Sequence, residues 1–138
     1  CEYSPERKAA FPRFRRSGQK VVCIEGSSQS PDTHARVRGV LGGALDVLLI
    51  DGDHSYDGVR RDFELYTPLV RPGGLIILHD IVQDRGQRYG EPTTASTGGV
   101  PQFWSEVKSQ FSGTEEIVDD FDQDGYGVGL LRKTPCNG

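Results

Sequence analysis

Three short apolar runs, separated by longer and more polar segments, dominate the hydrophobic pattern of this chain. The runs are KVVCIE (20–25), ALDVLLI (44–50) and LIILHDI (75–81). Runs of this length that are rich in Val, Ile and Leu predict strands. The second and third runs are apolar almost throughout rather than at alternate positions. Both faces of these strands are therefore expected to be covered, as in a parallel sheet flanked by helices.

Four helices are predicted around these strands. The first two begin at Ser4-Pro5 and Ser30-Pro31, where a hydroxyl cap precedes a residue that needs no N–H partner, and they run to about residues 16 and 41. The other two are marked by apolar residues three or four positions apart. Their stripes are Val59, Phe63, Tyr66 and Val70 in the third helix, and Val100, Phe103, Val107 and Phe111, with Trp104 beside them, in the fourth.

The remaining segments complete an alternating order of helices and strands. RPGG (71–74) predicts a turn, and residues 83–99, which have no period and are rich in Gly, Ser and Thr, predict a long exposed loop. TEEIVDDF (114–121) and GYGVGLLRK (125–133) predict two final strands joined by a short turn, hence an antiparallel edge. The order predicts one α/β domain over residues 1–138, a three-layer sandwich with a mostly parallel sheet and an antiparallel C-terminal edge strand.

Composition and charge narrow the classes of partner. The 138 residues carry a net charge of −4, which argues against general nucleic-acid binding because such binding needs clustered cations. The apolar runs are too short to span a bilayer, so no membrane partner is expected. Cys1, Cys23 and Cys136 form no metal or redox spacing. We expect Cys23 in the core and a reducing, cytoplasmic setting.

The candidate chemistry lies in polar residues that follow the apolar runs. The second run is followed by Asp51, Asp53 and His54, and the third run contains His79 and Asp80 near its end. In an open α/β sheet the carboxyl ends of parallel strands meet at one rim, and ligands bind there. Asp51 and Asp80 are therefore expected to lie together and to share a hard divalent cation such as Mg²⁺.

Each of these residues also has a purely structural interpretation. Asp53 is equally a candidate for capping the following helix, and His54 for a hydrogen bond to a loop. His79 fits a satisfied core histidine somewhat better than a catalytic one. For Asp51 and Asp80 acting together a functional role is favoured, because two acids that end apolar strands are costly unless they are solvated or paired.

Residues 45–81, LDVLLIDGDHSYDGVRRDFELYTPLVRPGGLIILHDI, resemble the core of class I S-adenosylmethionine-dependent methyltransferases. Within that family the chain is most similar to the group with cephalosporin-hydroxylase-like enzymes and sugar or macrolide O-methyltransferases, which carry an IDGDHxY segment and a later PGG…HD segment. Residues 4–28, 99–108 and 125–133 resemble further helices and strands of the same family. The resemblance implies a Rossmann-like fold, S-adenosylmethionine as cofactor and a small-molecule hydroxyl as methyl acceptor.

The resemblance also implies roles for the residues at the strand ends. Asp51 and Asp80 match the acids that bind a divalent metal ion in metal-dependent O-methyltransferases. His54 and His79 fall near the acceptor pocket and are candidates for the general base. A bound metal ion would lower the pKa of the acceptor hydroxyl and align its oxygen with the methyl group.

A second set of residues is implied to bind the cofactor. Gly26, Ser27 and Ser28 match the turn that borders the adenine, and Glu2 stands near the position of an acid that binds the ribose. Asp51 is expected to border the cofactor as well as the metal ion.

The sequence departs from the family pattern at two places. Ile81 stands where such enzymes often carry Asn or Asp, which leaves a third metal ligand unassigned. No glycine-rich turn for the methionine part of the cofactor is found. We therefore expect an N-terminally incomplete fold, weak or no methyl transfer from these 138 residues, and an exposed strand edge that favours a homodimer.

Two other functions stay open at this level. Asp51-Gly52-Asp53 is a D-x-D triplet, with which many glycosyltransferases hold a metal ion and a nucleotide-sugar diphosphate. Binding of a UDP-sugar with Mn²⁺, without binding of S-adenosylmethionine, would select that function. The other is a non-catalytic methyltransferase-like module for binding or assembly. A glycine-rich turn encoded upstream of Cys1 would favour the enzyme over the module.

Overall fold

The computed structural model describes residues 4–120 and 122–134. The chain divides into two units, Cys1–Gly42 and Gly43–Gly138. We call them the N-terminal unit and the sheet unit and describe each by itself.

Both helices of the N-terminal unit begin at the predicted Ser-Pro pairs. The elements are helix α1 (Pro5–Ala10), a 3₁₀ turn (Phe11–Phe14) and helix α2 (Pro31–Val40). The Ser4 hydroxyl accepts a hydrogen bond from the Arg7 N–H at 3.3 Å, and the Ser30 hydroxyl accepts one from the Thr33 N–H at 3.3 Å. Each serine thus satisfies one of the N–H groups that a helix start leaves without a partner.

The strand predicted over residues 20–25 is wrong. These residues form no strand in the structure, and Val21, Val22 and Cys23 are exposed. A β-branched run becomes a strand only when a neighbouring strand completes its backbone hydrogen bonds. No strand pairs with this run within the described parts of the chain. Cys23 is consequently a surface thiol and not the core residue that the pattern predicts.

The sheet unit contains four strands and three helices among its described residues. They are β1 (Leu45–Ile50), α3 (Tyr56–Tyr66), β2 (Val70–His79), α4 (Arg85–Tyr89), α5 (Val100–Gln110), β3 (Thr114–Ile117) and β4 (Val128–Arg132), with a 3₁₀ turn (Thr67–Leu69) between α3 and β2. The strand order is β1-β2-β4-β3, with β1 parallel to β2 and β4 antiparallel to both of its neighbours. Three strands therefore run in one direction. The C-terminal strand β4 lies inside the antiparallel part, and β3 forms its edge.

The predicted turn RPGG lies within β2 as a bulge. Leu45 pairs with Val70 and Val47 with Leu75, so four residues of β2 protrude between the two pairs. Gly73 within the bulge has φ of 75°, a left-handed conformation that favours glycine. The Gly-rich sequence thus turns the chain as predicted, but the strand continues on both sides of the turn.

The core of the sheet unit lies between one face of the sheet and helices α3 and α5. Ile76, Leu78 and Trp104 are fully buried, and Phe63 of α3 meets Phe103 of α5 edge to face with ring centroids 5.4 Å apart. The predicted apolar stripes of both helices form this core. Two stripe positions differ, because Val70 belongs to β2 and Phe111 lies beyond the end of α5 and is exposed.

Among the described residues of the sheet unit, the opposite face of β1 is largely exposed. Val47 and Leu49 are 49% and 60% exposed, so the prediction that both faces of this strand are covered is wrong. The reason is that α3 and α5 pack on the same face of the sheet, where Leu48 and Ile50 join the core. A continuous apolar run therefore does not by itself show what covers each face.

No helix among the described residues is both long enough and apolar enough to cross a membrane.

Candidate functional site

Two strand ends bring four titratable side chains together. Asp51 follows β1, His54 lies just before α3, and His79 and Asp80 stand at the end of β2. Because β1 and β2 are parallel and pair as far as Ile50 and Leu78, their carboxyl ends meet at one rim. Ligand atoms of Asp51, His54 and Asp80 all lie within 4.8 Å of one another. We call Asp51, His54, His79 and Asp80 the strand-end cluster.

Each imidazole of the strand-end cluster faces both carboxylates. His54 Nε2 lies 3.4 Å from Asp51 Oδ1, and His54 Nδ1 lies 3.4 Å from Asp80 Oδ2. His79 Nδ1 lies 3.4 Å from Asp51 Oδ1 and 3.3 Å from Asp80 Oδ1. The Asp80 side chain is only 9% exposed, whereas that of Asp51 is 45% exposed. The cluster is therefore closed on the Asp80 side and open to solvent at Asp51.

The orientation of His54 is set by the end of the long loop. Its Nδ1 lies 2.6 Å from the Ser96 carbonyl oxygen, and its own carbonyl accepts a hydrogen bond from the Gly99 N–H at 2.7 Å. A carbonyl oxygen only accepts, so Nδ1 carries the hydrogen and Nε2 points toward Asp51. Gly98 and Gly99 allow this approach, since a Cβ on either would collide with the backbone of His54 or Tyr56.

The charge state of His54 reflects the same contacts. Burial disfavours the imidazolium, but the Ser96 carbonyl and the Asp51 and Asp80 carboxylates outweigh it. The net effect raises the pKa of His54 above its ordinary value of 6.5. The cluster is thus an environment that attracts positive charge.

The backbone of Asp80 is strained. Asp80 has φ of 62°, in the left-handed region that non-glycine residues seldom occupy. Its N–H donates to the Gly127 carbonyl at 3.0 Å, so the turn before β4 holds it in place. Strained residues of this kind concentrate at functional sites, and here the strain lies at the most buried carboxylate of the cluster.

Asp53 lies outside the strand-end cluster. Its Oδ1 accepts a hydrogen bond from the Ser55 N–H at 2.9 Å, and the Ser55 hydroxyl accepts one from the Gly58 N–H at 3.0 Å. Ser55 is therefore the N-cap of α3, and Asp53 shapes the turn before it. The predicted helix cap at Asp53 is therefore wrong by two residues, since Ser55 caps α3 and Asp53 accepts the N–H of that cap.

The turn that is predicted to border the adenine lies in the N-terminal unit. Gly26, Ser27 and Ser28 form the turn before α2 in the N-terminal unit, where the Ser27 carbonyl accepts from the Ser30 N–H at 3.1 Å. Gly26 has φ of 143°, which favours glycine at this position. Glu2 lies outside the described residues.

The predicted loop 83–99 is ordered by buried polar contacts and contains α4. Asp84 Oδ1 accepts from the Gln87 N–H at 2.8 Å, and Asp84 Oδ2 accepts from the Thr97 hydroxyl at 3.1 Å. Asp124, in the turn before β4, accepts from the Thr93 hydroxyl at 2.8 Å. Hydrogen bonds within the loop and to the turn before β4 thus order the loop. The ordered loop places the Ser96 carbonyl against His54.

Several residues around the strand-end cluster are not among those predicted from the sequence. Ser96 acts through its backbone carbonyl, which leaves no signal in the residue type. The Gly98-Gly99 pair before α5 is a signal of close backbone approach. The Gly-Tyr-Gly triplet at residues 125–127 is a second signal of this kind. All three of its residues have a positive φ in the structure.

A separate groove of about 370 Å³ lies between α3 and α5. Phe63, Phe103 and Phe111 line it, together with Arg60 and Glu64, which pair with each other at 2.8 Å. The groove holds none of the strand-end cluster. Its third charged group, Glu106, accepts a hydrogen bond from the Tyr56 hydroxyl at 2.7 Å.

Comparison with known sequences assigns a family. A sequence profile described as "Methyltransferase domain" matches residues 1–81, more than half of the 138 residues. The chain is 30% identical over 63 residues to demethylmacrocin O-methyltransferase of Streptomyces fradiae, covering 46% of this chain and 16% of that protein.

Solved structures show the same fold. An O-methyltransferase family protein from Burkholderia thailandensis is 16% identical, with a TM-score of 0.56, covering 96% of this chain and 41% of the other. MycE methyltransferase from the mycinamycin biosynthetic pathway, solved in complex with Mg, SAH and mycinamycin VI, is 21% identical, with a TM-score of 0.52, covering 80% of this chain and 31% of the other. The chain spans less than half the length of each of these proteins. It belongs to the methyltransferase-domain family and has the fold of class I S-adenosylmethionine-dependent methyltransferases.

Proposed function

We propose that this chain carries the metal-assisted site of an S-adenosylmethionine-dependent O-methyltransferase that acts on a small-molecule hydroxyl. The observation that carries the proposal is the meeting of Asp51, His54 and Asp80 within 4.8 Å at the carboxyl ends of two parallel strands. Ligands of open α/β sheets bind at such ends. The similarity to demethylmacrocin O-methyltransferase supports the reaction class.

The donor set fits a divalent cation such as Mg²⁺ or Mn²⁺. Asp51 and Asp80 offer carboxylate oxygens, and His54 offers Nε2 because its Nδ1–H is donated to the Ser96 carbonyl. A ligating histidine in proteins usually donates its other N–H to a carbonyl or carboxylate in this way. His54 would take the third ligand position that the sequence leaves open at Ile81. When bound, the cation would lower the pKa of an acceptor hydroxyl.

We assign to His79 the acceptance of the proton from the acceptor hydroxyl. Its Nδ1 is buried without a hydrogen-bond partner beside the carboxylates of Asp51 and Asp80. Two negative charges favour a hydrogen at Nδ1, which leaves the lone pair on Nε2. The side chain is 34% exposed, so solvent and an acceptor reach the ring.

We assign cofactor contacts in each unit taken by itself: to the turn at Gly26, Ser27 and Ser28 in the N-terminal unit, with Glu2 as a further candidate there, and to Asp51 in the sheet unit. The serine hydroxyls donate and accept hydrogen bonds, and the exposed Asp51 carboxylate accepts them. Those are the groups that the hydroxyls and amines of S-adenosylmethionine require.

A metal titration and a product assay test the proposal. Mn²⁺ binding is measured by electron paramagnetic resonance in the wild-type chain and in Asp51→Asn and Asp80→Asn. The control is Asp46→Asn, an acid of β1 that pairs with Arg71 at 2.6 Å on the surface. We expect a loss of affinity of at least about tenfold in the two cluster variants and none in the control.

The product assay measures S-adenosylhomocysteine by mass spectrometry after incubation with S-adenosylmethionine, the metal ion and a panel of hydroxyl acceptors. We expect weak but detectable product formation, because the sequence departs from the family pattern, and we expect it to depend on Asp51 and Asp80 but not on Asp46. If Asp51→Asn and Asp80→Asn each bind Mn²⁺ with the affinity of the wild type, the proposed metal site is contradicted. Binding of a UDP-sugar with Mn²⁺, but not of S-adenosylmethionine, would select the glycosyltransferase instead, and cofactor binding without product would select the non-catalytic module.

A further inference from the structure

Three consecutive residues before β4 have a left-handed backbone. Gly125, Tyr126 and Gly127 have φ values of 77°, 60° and 82°. Glycine adopts such values freely, but in tyrosine they bring Cβ close to the neighbouring carbonyl oxygen. A bulky residue stays in this conformation only where its surroundings impose it, and such positions concentrate at functional sites.

The two glycines allow the turn to pack closely against the rest of the sheet unit. A Cβ on Gly125 would lie 2.7 Å from Ala95 Cβ, in the long loop, and one on Gly127 would lie 2.9 Å from Val82 Cγ2, after β2. Both distances are shorter than real Cβ contacts allow. Only glycine fits at either position. Tyr126, which lies between them, is therefore the residue of this turn whose side chain can extend into solvent.

The backbone of the turn is bound to the end of β2. The Tyr126 carbonyl accepts from the Val82 N–H, and the Gly127 carbonyl accepts from the Asp80 N–H, each at 3.0 Å. The two donors, Asp80 and Val82, are the residues immediately before and after Ile81. The position of Tyr126 is therefore coupled directly to that of Asp80 in the strand-end cluster.

Packing does not account for the Tyr126 ring. The residue is 56% exposed, so little of its apolar area is removed from water. Its ring centroid lies 6.3 Å from that of His79, with the ring planes 59° apart. The strained turn thus presents a largely exposed aromatic face next to the histidine of the cluster.

We propose that Tyr126 is a positioning residue for the methyl acceptor, whose ring stacks on the Tyr126 face so that a hydroxyl points toward His79. The inference rests on the proposed function, because it places the acceptor at the same cluster. The acceptor chemistry is a hydroxylated ring with a flat apolar face. A phenol and a pyranose both provide such a face, and binding of one but not the other distinguishes them.

The test compares ligand binding with stability in the full chain. Saturation-transfer NMR in the presence of Mg²⁺ measures binding of three probes, namely phenol, methyl β-D-glucopyranoside and the acyclic control glycerol. The variants are Tyr126→Gly, Tyr126→Phe and, as a control that removes an exposed aromatic ring elsewhere, Phe14→Ala. Thermal unfolding of each variant is measured in parallel.

We expect one ring probe to bind the wild type, Tyr126→Phe and Phe14→Ala alike, and to bind Tyr126→Gly about fivefold more weakly. Glycerol should not distinguish the variants. Tyr126→Gly should unfold at the same temperature as the wild type or higher, because glycine removes the strain at φ of 60°. Substitution of a positioning residue lowers ligand binding without lowering stability, whereas substitution of a structural residue lowers stability without lowering binding.

The inference is overturned if Tyr126→Gly binds the ring probes as the wild type does, if it loses stability but not binding, or if neither ring probe binds the wild type. The same variants separate this inference from the proposed function. Binding that depends on Tyr126 without any S-adenosylhomocysteine formed would overturn the proposed function alone. Product formation that is unchanged in Tyr126→Gly would overturn this inference alone.

Discussion

His54 donates its Nδ1–H to the carbonyl oxygen of Ser96, 2.6 Å away and 42 residues later in the chain. This bond joins the turn after β1 to the end of the long loop and directs the other ring nitrogen toward Asp51. The tautomer of the histidine is thereby determined by a backbone group that any residue at position 96 would supply. The availability of Nε2 as a donor atom accordingly depends on how the loop folds.

Replacing His54 tests whether it is the third metal ligand. We expect His54→Ala to weaken Mn²⁺ binding by about tenfold or more, because one of three donors is removed and the contact with Ser96 is lost. Electron paramagnetic resonance titration measures the affinity. The control is His34→Ala, which removes an imidazole from α2. Unchanged affinity in His54→Ala, together with a loss in Asp51→Asn, would place the third ligand elsewhere.

Glu116 links α5 to β3 through two donors. Its Oε1 accepts from Trp104 Nε1 and from Lys108 Nζ, each at 2.7 Å. Burial opposes the charge, but Lys108 and Trp104 outweigh it and hold the pKa of Glu116 below its ordinary value of 4.5. We expect Glu116→Gln to lower the free energy of unfolding at neutral pH by about 1–2 kcal/mol, measured by urea unfolding.

The pH dependence of that loss follows from the direction of the shift. A lowered pKa in the folded state means that the contribution of Glu116 is fully present above pH 4.5 and disappears as the pH falls through the lowered pKa. The difference between the wild type and Glu116→Gln should therefore shrink in acid. The control is Glu115→Gln, an exposed neighbour on β3. A difference that is constant with pH would contradict the assignment.

Gly129 of β4 lies against the indole of Trp104. A Cβ at this position would lie 2.7 Å from Cε2 and 2.8 Å from Cδ2 of that ring, which is 1% exposed and cannot move aside freely. We expect Gly129→Ala to destabilise the sheet unit by about 1–3 kcal/mol through overpacking. Fluorescence of Trp104, the only tryptophan of the chain, reports the unfolding directly.

The matched control for Gly129→Ala is Gly43→Ala. A Cβ on Gly43 would meet nothing within 4 Å, so its substitution should change the free energy of unfolding by no more than about 0.5 kcal/mol. Equal effects of the two substitutions would show that the packing of Trp104 against β4 is looser than these distances require.

Asp84 holds the long loop together and should release it in acid. The Gln87 N–H, and after it the N–H and hydroxyl of Thr97, keep the pKa of Asp84 below its ordinary value of 3.8 although burial opposes them. The hydrogen bonds of Asp84 are therefore fully present above pH 3.8 and are lost as the pH falls through the lowered pKa. Amide hydrogen exchange at Gln87 and Thr97, corrected for the intrinsic rate, should lose protection there.

The corresponding variant is Asp84→Ala, which should remove that protection at every pH. Asp119→Asn, a substitution of an exposed acid after β3, should leave it unchanged. Protection that persists in Asp84→Ala would mean that Asp124 alone orders the loop.

Several elements could be predicted from local pattern because local physics produces them. The Ser-Pro pairs cap α1 and α2, and the apolar stripes of α3 and α5 form the core, as spacing alone indicates. The same local information was misleading for residues 20–25. A strand needs a partner, and a run of Val and Ile does not say whether one is present.

By itself, the sequence determined that acids and imidazoles follow the apolar runs, and the parallel order of β1 and β2 then requires Asp51 and Asp80 to meet. Only the tertiary structure decided which atoms face each other. The contacts of the Ser96 carbonyl and of the strained turn at Tyr126 join residues 42 and 47 positions apart in the chain, and they are made partly by backbone groups common to all residues. Hydrophobic periodicity reports what each segment buries, whereas the geometry of a site depends on how separate segments approach.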